Sequence, residues 1–211
     1  MKTYLSIDCD YFAPIKSASA RIQAERLIRV LEMLDLPVFV TLGHDLHAID
    51  VNQFKVQKII NVDVHCDCDC DTEYGNRMKT FLEQRRKTSL TKKLCEYSAR
   101  WETLHEANWV HFCNLVGSTP RVEHWRPLYD HRCREVYSEK TVWLVSGEAG
   151  YKNRVVTPKN LCRAIEKIKN DIVAVGLAIS PFWCETLSAQ MGCKGWTADF
   201  LEVLIDREVA S

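Results

Sequence analysis

The run at residues 61–71, NVDVHCDCDCD, sets the tightest limits on this chain's fold. Ile59 and Ile60 lead into it, and Val62 and Val64 then alternate with polar residues, the pattern of a strand with a buried start. Successive side chains on a strand point to opposite faces, so Asp63, His65 and Asp67 are expected on one face. A buried strand that carries charges must give them partners. An imidazole flanked by two carboxylates is a ligand set for a divalent metal, and mixed oxygen and nitrogen donors suit Mn, Fe, Co, Ni or Zn better than Ca. The plain alternative is a polar strand end.

The remaining chain alternates between strand and helix patterns. A strand over 4–10 carries Asp8 and Asp10 on one face near its end, and Pro14 stops it. Ala20, Ala24, Leu27, Ile28, Leu31 and Leu34 recur at helical spacing. Pro37 opens a strand over 38–42 that ends at Gly43, His44 and Asp45. A short irregular or helical piece spans 46–55, and a third strand spans 58–65. Residues 71–88 are too polar to assign, 90–104 read as a helix, and the apolar 109–116 as a strand. The polar stretch 117–139 reads as a long loop, which usually has a functional role. A strand over 141–146 runs into Gly147 and Glu148. Thr157 and Pro158 start a helix that reaches about residue 170. A buried strand over 172–179 breaks at Ser180 and Pro181, and a last helix begins near Thr197.

Strands separated by helices predict one α/β domain over 1–211 with a mainly parallel sheet. In such sheets functional groups gather beyond the carboxyl ends of the strands. Asp8 and Asp10, His44, the 63–67 set and Glu148 all fall at such ends. The net charge of zero argues against nucleic-acid or membrane-surface partners. The first residues turn acidic by Asp8, so they form no signal-peptide core, and no apolar run reaches spanning length. Ten cysteines scattered through apolar segments suit reduced thiols in a cytoplasm. Cys66, Cys68 and Cys70 are spaced C-x-C-x-C, not as the paired C-x2-C of zinc ribbons, which favours small buried side chains over a thiolate site.

Asp8, Asp10, His44, Asp63, His65 and Asp67 are more ligands than one ion needs. Shared carboxylates can bridge two ions about 3.5–4 Å apart, the arrangement that generates a bridging hydroxide. Asp63-Val64-His65-Cys66-Asp67 resembles the D-x-H-x-D motif of the arginase and agmatinase (ureohydrolase) superfamily. Ser6-Ile7-Asp8-Cys9-Asp10, continuing to Pro14, is similar to that family's S-x-D-x-D-x-x-D-P strand, with Ala13 in place of the last aspartate. Gly43-His44-Asp45 is similar to its G-G-D-H segment with aspartate and histidine exchanged. The resemblance implies a three-layer arginase-like domain with two Mn2+ per chain. It implies that Asp63 and Asp8 bridge, that His44 and Asp67 complete one site, and that His65 and Asp10 complete the other. It further implies hydrolysis of a guanidinium group with release of urea.

The match departs from arginases in three ways. The D-x-D strand precedes the other motifs here and follows them there, the chain is shorter, and Asp69 stands where the family motif has an asparagine that holds the α-carboxylate of free arginine. A carboxylate at Asp69 would repel that group, which points to arginine within a peptide. The chain is most similar to the peptide arginases, which convert arginine residues of ribosomally made precursor peptides to ornithine. Asn108-Trp109-Val110 and Asp8-Cys9-Asp10-Tyr11-Phe12 carry that likeness. The leaving amine needs a proton, for which His111 is the first choice and His105 the second. Glu185 or Glu148 is expected to grip the guanidinium, and 117–139 to line a peptide groove. The oligomeric state is left open. Rival readings are a one-zinc deacetylase, a metal-stabilised peptide-binding protein without catalysis, and a soft-metal buffer built on the cysteines.

Overall fold

β1 (Thr3–Asp8) is the axis of the sheet, and all its residues are buried, as a parallel strand covered on both faces must be. The computed structural model describes residues 1–13, 19–65, 67, 109–114, 120–127, 152–181, 184–185 and 195–208. β3 (Lys58–Val62) lies on one side of β1 and β6 (Ile172–Ala178) on the other. β2 (Val38–Thr41) pairs with β6, and β4 (Arg121–Arg126) and β5 (Lys152–Val155) continue beyond β3. The order is β2-β6-β1-β3-β4-β5, and every pairing is parallel.

Helices α1 (Ala20–Leu34), α2 (His47–Phe54), α3 (Pro158–Glu166) and α4 (Trp196–Glu208) cover the two faces. α1 packs on α3 and α4, and these helices enclose the larger core with Leu5, Ile7, Ile60, Val62 and Val175. On the other face α2 packs against β6 and a 3-10 turn at Trp109–Asn114. There Tyr4, Ile59 and Ala174 meet Ala48, Val51, Trp109 and Val110. The result is helix, sheet, helix. The chain leaves β1 for β2 on one side of the sheet and returns to β3 on the other, so the crevice at the carboxyl end of β1 is a switch point where α/β sheets place ligands.

Two sequence expectations give way here. Residues 109–114 form a 3-10 turn, not a strand: Trp109, Val110 and Cys113 are buried at a helical spacing, and a short apolar run cannot be assigned by periodicity alone. The expected loop at 117–139 contains β4. Its Glu123 is paired across the sheet, with Lys58 Nζ 2.6 Å from Oε2, while Trp125 Nε1 on the same strand donates to Oε1 at 2.7 Å. Lys58 is distant in sequence from Glu123, so composition alone reads the segment as solvated. β5, which follows, was not anticipated. The helix expected at 90–104 and the strand at 141–146 lie outside the described residues. Cys9, Cys113, Cys162 and Cys184 form no disulfide among the described residues, while Cys66, Cys68 and Cys70 are not described. Among the described residues no helix is long and apolar enough to cross a membrane.

Candidate metal centre

The register of β1 on β3 sets Ile7 opposite Val62, so Asp8 and Asp63 leave the sheet side by side. Both strands end sooner than their alternation suggests. β1 stops at Asp8 and tightens into a 3-10 turn, Cys9–Phe12, whose first free N–H, that of Asp10, is capped by Asp8 Oδ1 at 3.0 Å. This turn, not strand alternation, brings Asp10 to the site. β3 stops at Val62. Asp63 Oδ1 then accepts the backbone N–H of His65 at 2.7 Å, which bends the chain, and Asp67 adopts a left-handed φ of 51°. Asp63, His65 and Asp67 therefore converge through a turn, where a continuing strand had been expected.

His44 arrives from β2 across the end of β6. β6 ends at Ala178, and Ser180 beyond it has a left-handed φ of 44°. The Ser180 hydroxyl donates to Asp8 Oδ2 at 2.7 Å.

Five of the six side chains form two overlapping groups, and Asp67 stands beside His44. Asp8, His44 and Asp63 offer one set of ligand atoms, and Asp10, Asp63 and His65 offer another, each set within 4.8 Å. Asp63 belongs to both. Its Oδ2 lies 3.3 Å from His44 Nδ1, and its Oδ1 lies 3.6 Å from His65 Nδ1. His44 Nδ1 is also 2.6 Å from Asp67 Oδ2 and 3.3 Å from Asp8 Oδ2, and His65 Nδ1 is 2.8 Å from Asp10 Oδ2. Neighbouring ligand atoms around an octahedral ion at about 2.1 Å stand about 3.0 Å apart, which is this spacing.

Direction matters as much as distance. Among the described residues, Oδ1 of the fully buried Asp10 has no hydrogen-bond partner, and Asp10 Oδ2 and Nδ1 of the fully buried His44 meet only the imidazole–carboxylate contacts of the cluster itself. Such atoms are costly unless something else satisfies them. Carboxylate oxygens and imidazole nitrogens converging at this spacing also fit a cation held between them. The described residues thus form a buried Asp/His cluster that can bind a metal.

The electrostatics agree. Burial, then the carboxylates of Asp8 and Asp63, push the Asp10 carboxyl well above the usual range. Burial, then Asp63, does the same to Asp67. Burial opposes charge on Asp63 as well, but its contacts with His44 and His65 outweigh it and hold that carboxyl low. Burial would lower both imidazoles. Asp67 outweighs it for His44, which is raised, and contacts with Asp10 and Asp63 push His65 up to about 12.

Several supporting residues escaped the sequence reading. Trp109 Nε1 donates to Asp67 Oδ2 at 2.6 Å while its ring packs 4.9 Å from His44. His124 on β4 donates from Nε2 to the Asp63 carbonyl at 2.9 Å. Ser6 Oγ lies between His44 Nε2 and His47 Nδ1. Ser6 and Trp109 stood in the motif stretches and could have been singled out as polar groups in buried segments. His124 carried no local signal.

Glu185 is exposed, and its Oε1 accepts the backbone N–H of Thr197 at the start of α4 at 3.1 Å; the cluster is not among its described contacts. The backbone of His111 lies in the turn that begins at Trp109. Asp69, His105 and Glu148 lie outside the described residues. Comparisons with protein-family models, with curated proteins and with solved structures found no match to this chain.

Proposed function

We propose that the protein is a metal-dependent hydrolase that converts arginine side chains of a peptide to ornithine and urea, using two Mn2+ per chain. The observation that carries this reading is the charge of the buried cluster. Asp8, Asp10, Asp63 and Asp67 bring four carboxylates against the imidazoles of His44 and His65. Two divalent cations balance four carboxylates with both imidazoles neutral, and Asp63 has one oxygen for each ligand group. The guanidinium substrate rests on the motif resemblance, and the preference for a peptide rests on Asp69.

The residues that would hold one ion are Asp8, His44 and Asp63, with Asp67 beside them, and those that would hold the other are Asp10, Asp63 and His65. Bound cations would supply Lewis acidity and lower the pKa of water toward neutrality. The chain's own part is orientation. Ser180 and Trp109 hold the Asp8 and Asp67 carboxylates, and His124 fixes the backbone at Asp63. Hydrolysis adds the oxygen of water to the guanidinium carbon and breaks its bond to the side-chain nitrogen, so that urea leaves. That nitrogen takes a proton to become the ornithine amine, and His111 is the proposed donor. Glu185 or Glu148 is the proposed partner of the guanidinium.

The test is mass spectrometry of an arginine-containing peptide and of free arginine, each incubated with the protein and Mn2+, with bound metal counted in parallel. The peptide is expected to lose CH2N2 per converted arginine while urea accumulates and free arginine stays intact. Turnover of free arginine alone would remove the argument from Asp69. A metal-loaded protein that releases no urea from either would leave only a metal-binding protein or a hydrolase of other substrates, and a single bound zinc would favour the deacetylase reading.

A further inference from the structure

Behind His44, away from the carboxylates, the polar contacts continue in a line. His44 Nε2 lies 2.5 Å from Ser6 Oγ, and Ser6 Oγ lies 2.7 Å from His47 Nδ1. His47 Nε2 lies 3.3 Å from Thr41 Oγ1, and Thr41 Oγ1 donates to the Gly43 carbonyl at 2.7 Å. Ser6, His44 and His47 are fully buried.

The far end sets the direction of every proton in this line. A carbonyl only accepts, so the Thr41 hydroxyl proton is committed to Gly43. Thr41 Oγ1 must then accept, and His47 Nε2 carries the proton it receives. Both ring nitrogens of His47 face hydroxyls, and a cation fully buried against hydroxyls is costly. His47 is therefore neutral, and its bare Nδ1 accepts from the Ser6 hydroxyl. Ser6 in turn accepts from His44 Nε2–H. The proton on His44 is thereby kept on Nε2, which leaves Nδ1 as the atom presented to Asp8, Asp63 and Asp67.

The His47 ring is placed for this task. Its edge meets Tyr4 and Trp109, each with ring centroids 5.8 Å away. It packs close to β6 at Gly176, where an added Cβ would stand 2.7 Å from Cε1 and Nε2 and would also strike the Tyr4 hydroxyl.

We infer that His47 is a positioning residue for the metal ligand His44, acting through Ser6 in a hydrogen-bond line anchored on the Gly43 carbonyl, so that His44 offers its bare Nδ1 to a divalent cation. The inference rests on the metal-binding reading of the cluster and is independent of the substrate.

The experiment is titration of the full chain with Mn2+, with the unbound ion followed by its electron paramagnetic resonance signal. Ser6→Ala and His47→Leu are each expected to weaken affinity by about 10- to 100-fold, the usual effect of losing a partner of a metal-bound histidine. The double variant is expected to bind no more weakly than the weaker single variant, because both break one line. His47→Asn, which restores an acceptor near the position of Nδ1, is expected to recover most of the affinity. Thr41→Val, at a half-buried edge position, removes the anchor without cutting into the core and is expected to weaken binding by about 10-fold. It decides the matter if His47→Leu does not fold. A wild-type chain that takes up no Mn2+ would overturn the metal reading and this inference with it. Wild-type uptake with unchanged affinity in His47→Leu or Thr41→Val, or additive losses in the double variant, would overturn the role of His47 alone.

Discussion

Asp63 is the residue on which both ligand groups depend. Asp63→Asn keeps its shape and removes its charge. It is expected to weaken uptake of metal at both positions by more than about 100-fold, beyond the usual effect of losing an outer partner, as read by metal analysis after dialysis. Loss of only one ion would mean that Asp63 does not bridge. The protonation of the metal-free cluster makes a second prediction. Asp10, Asp67, His44 and His65 all have raised pKa values, that of His65 at about 12. A group with a raised pKa keeps its proton up to that raised value, so a cation must displace protons to bind. Uptake should release protons, and affinity should strengthen as pH rises. Calorimetry in buffers of different ionisation heat checks this, and a binding heat that does not depend on the buffer would contradict it. Gly176→Ala should weaken Mn2+ affinity in the same titration by moving His47, whose Cε1 and Nε2 an added Cβ would approach to 2.7 Å.

At the scale of elements, the site is made by where strands stop. β1 and β3 both end at the level of the cluster, and in each case an aspartate carboxylate takes a backbone N–H that the ladder no longer pairs: Asp8 takes that of Asp10, and Asp63 that of His65. The ligand spacing D-x-D and D-x-H was legible in the sequence, but alternation predicted continuing strands. Each carboxylate competes with the ladder for backbone N–H groups, which favours turns over strands. α1 shows the opposite case, with its bounds read in full from helical spacing. Ser19 caps it by accepting from the Ile22 N–H at 3.3 Å. Ser19→Ala should therefore cost about 1 kcal/mol of stability, measured by urea denaturation, and leave metal affinity unchanged. A loss of affinity would show that α1 positions the site and does not merely cover the sheet.

At the scale of the whole molecule, the cluster is a concentration of buried like charge that the fold must tolerate. Asp8, Asp10, Asp63 and Asp67 all sit at the carboxyl edge of the sheet, next to the two cores rather than within either. A cation that binds only the folded chain stabilises it by mass action. Mn2+ at 100 times its Kd should add about 2.7 kcal/mol, and a chelator should lower the Tm by the corresponding amount. Thermal unfolding with and without the ion checks this, and a Tm indifferent to the chelator would show that the cluster is stable empty.

The sequence by itself determined the class of fold, the extent of α1, the burial of β3 and β6, and the six candidate ligands. These depend on local periodicity and on charged residues at the ends of apolar runs, which need no knowledge of distant partners. Only the tertiary structure decided the strand order, the presence of β4 and the turn at Trp109–Asn114. It also decided how the candidate ligands group around Asp63, with Asp67 beside His44, and how the line from Gly43 to His44 runs. β4 is held by Lys58, whose partner Glu123 lies far along the chain, and the Trp109 ring owes its place to His44 and Asp67. Pairings of this kind close long loops, and no window of sequence contains both partners.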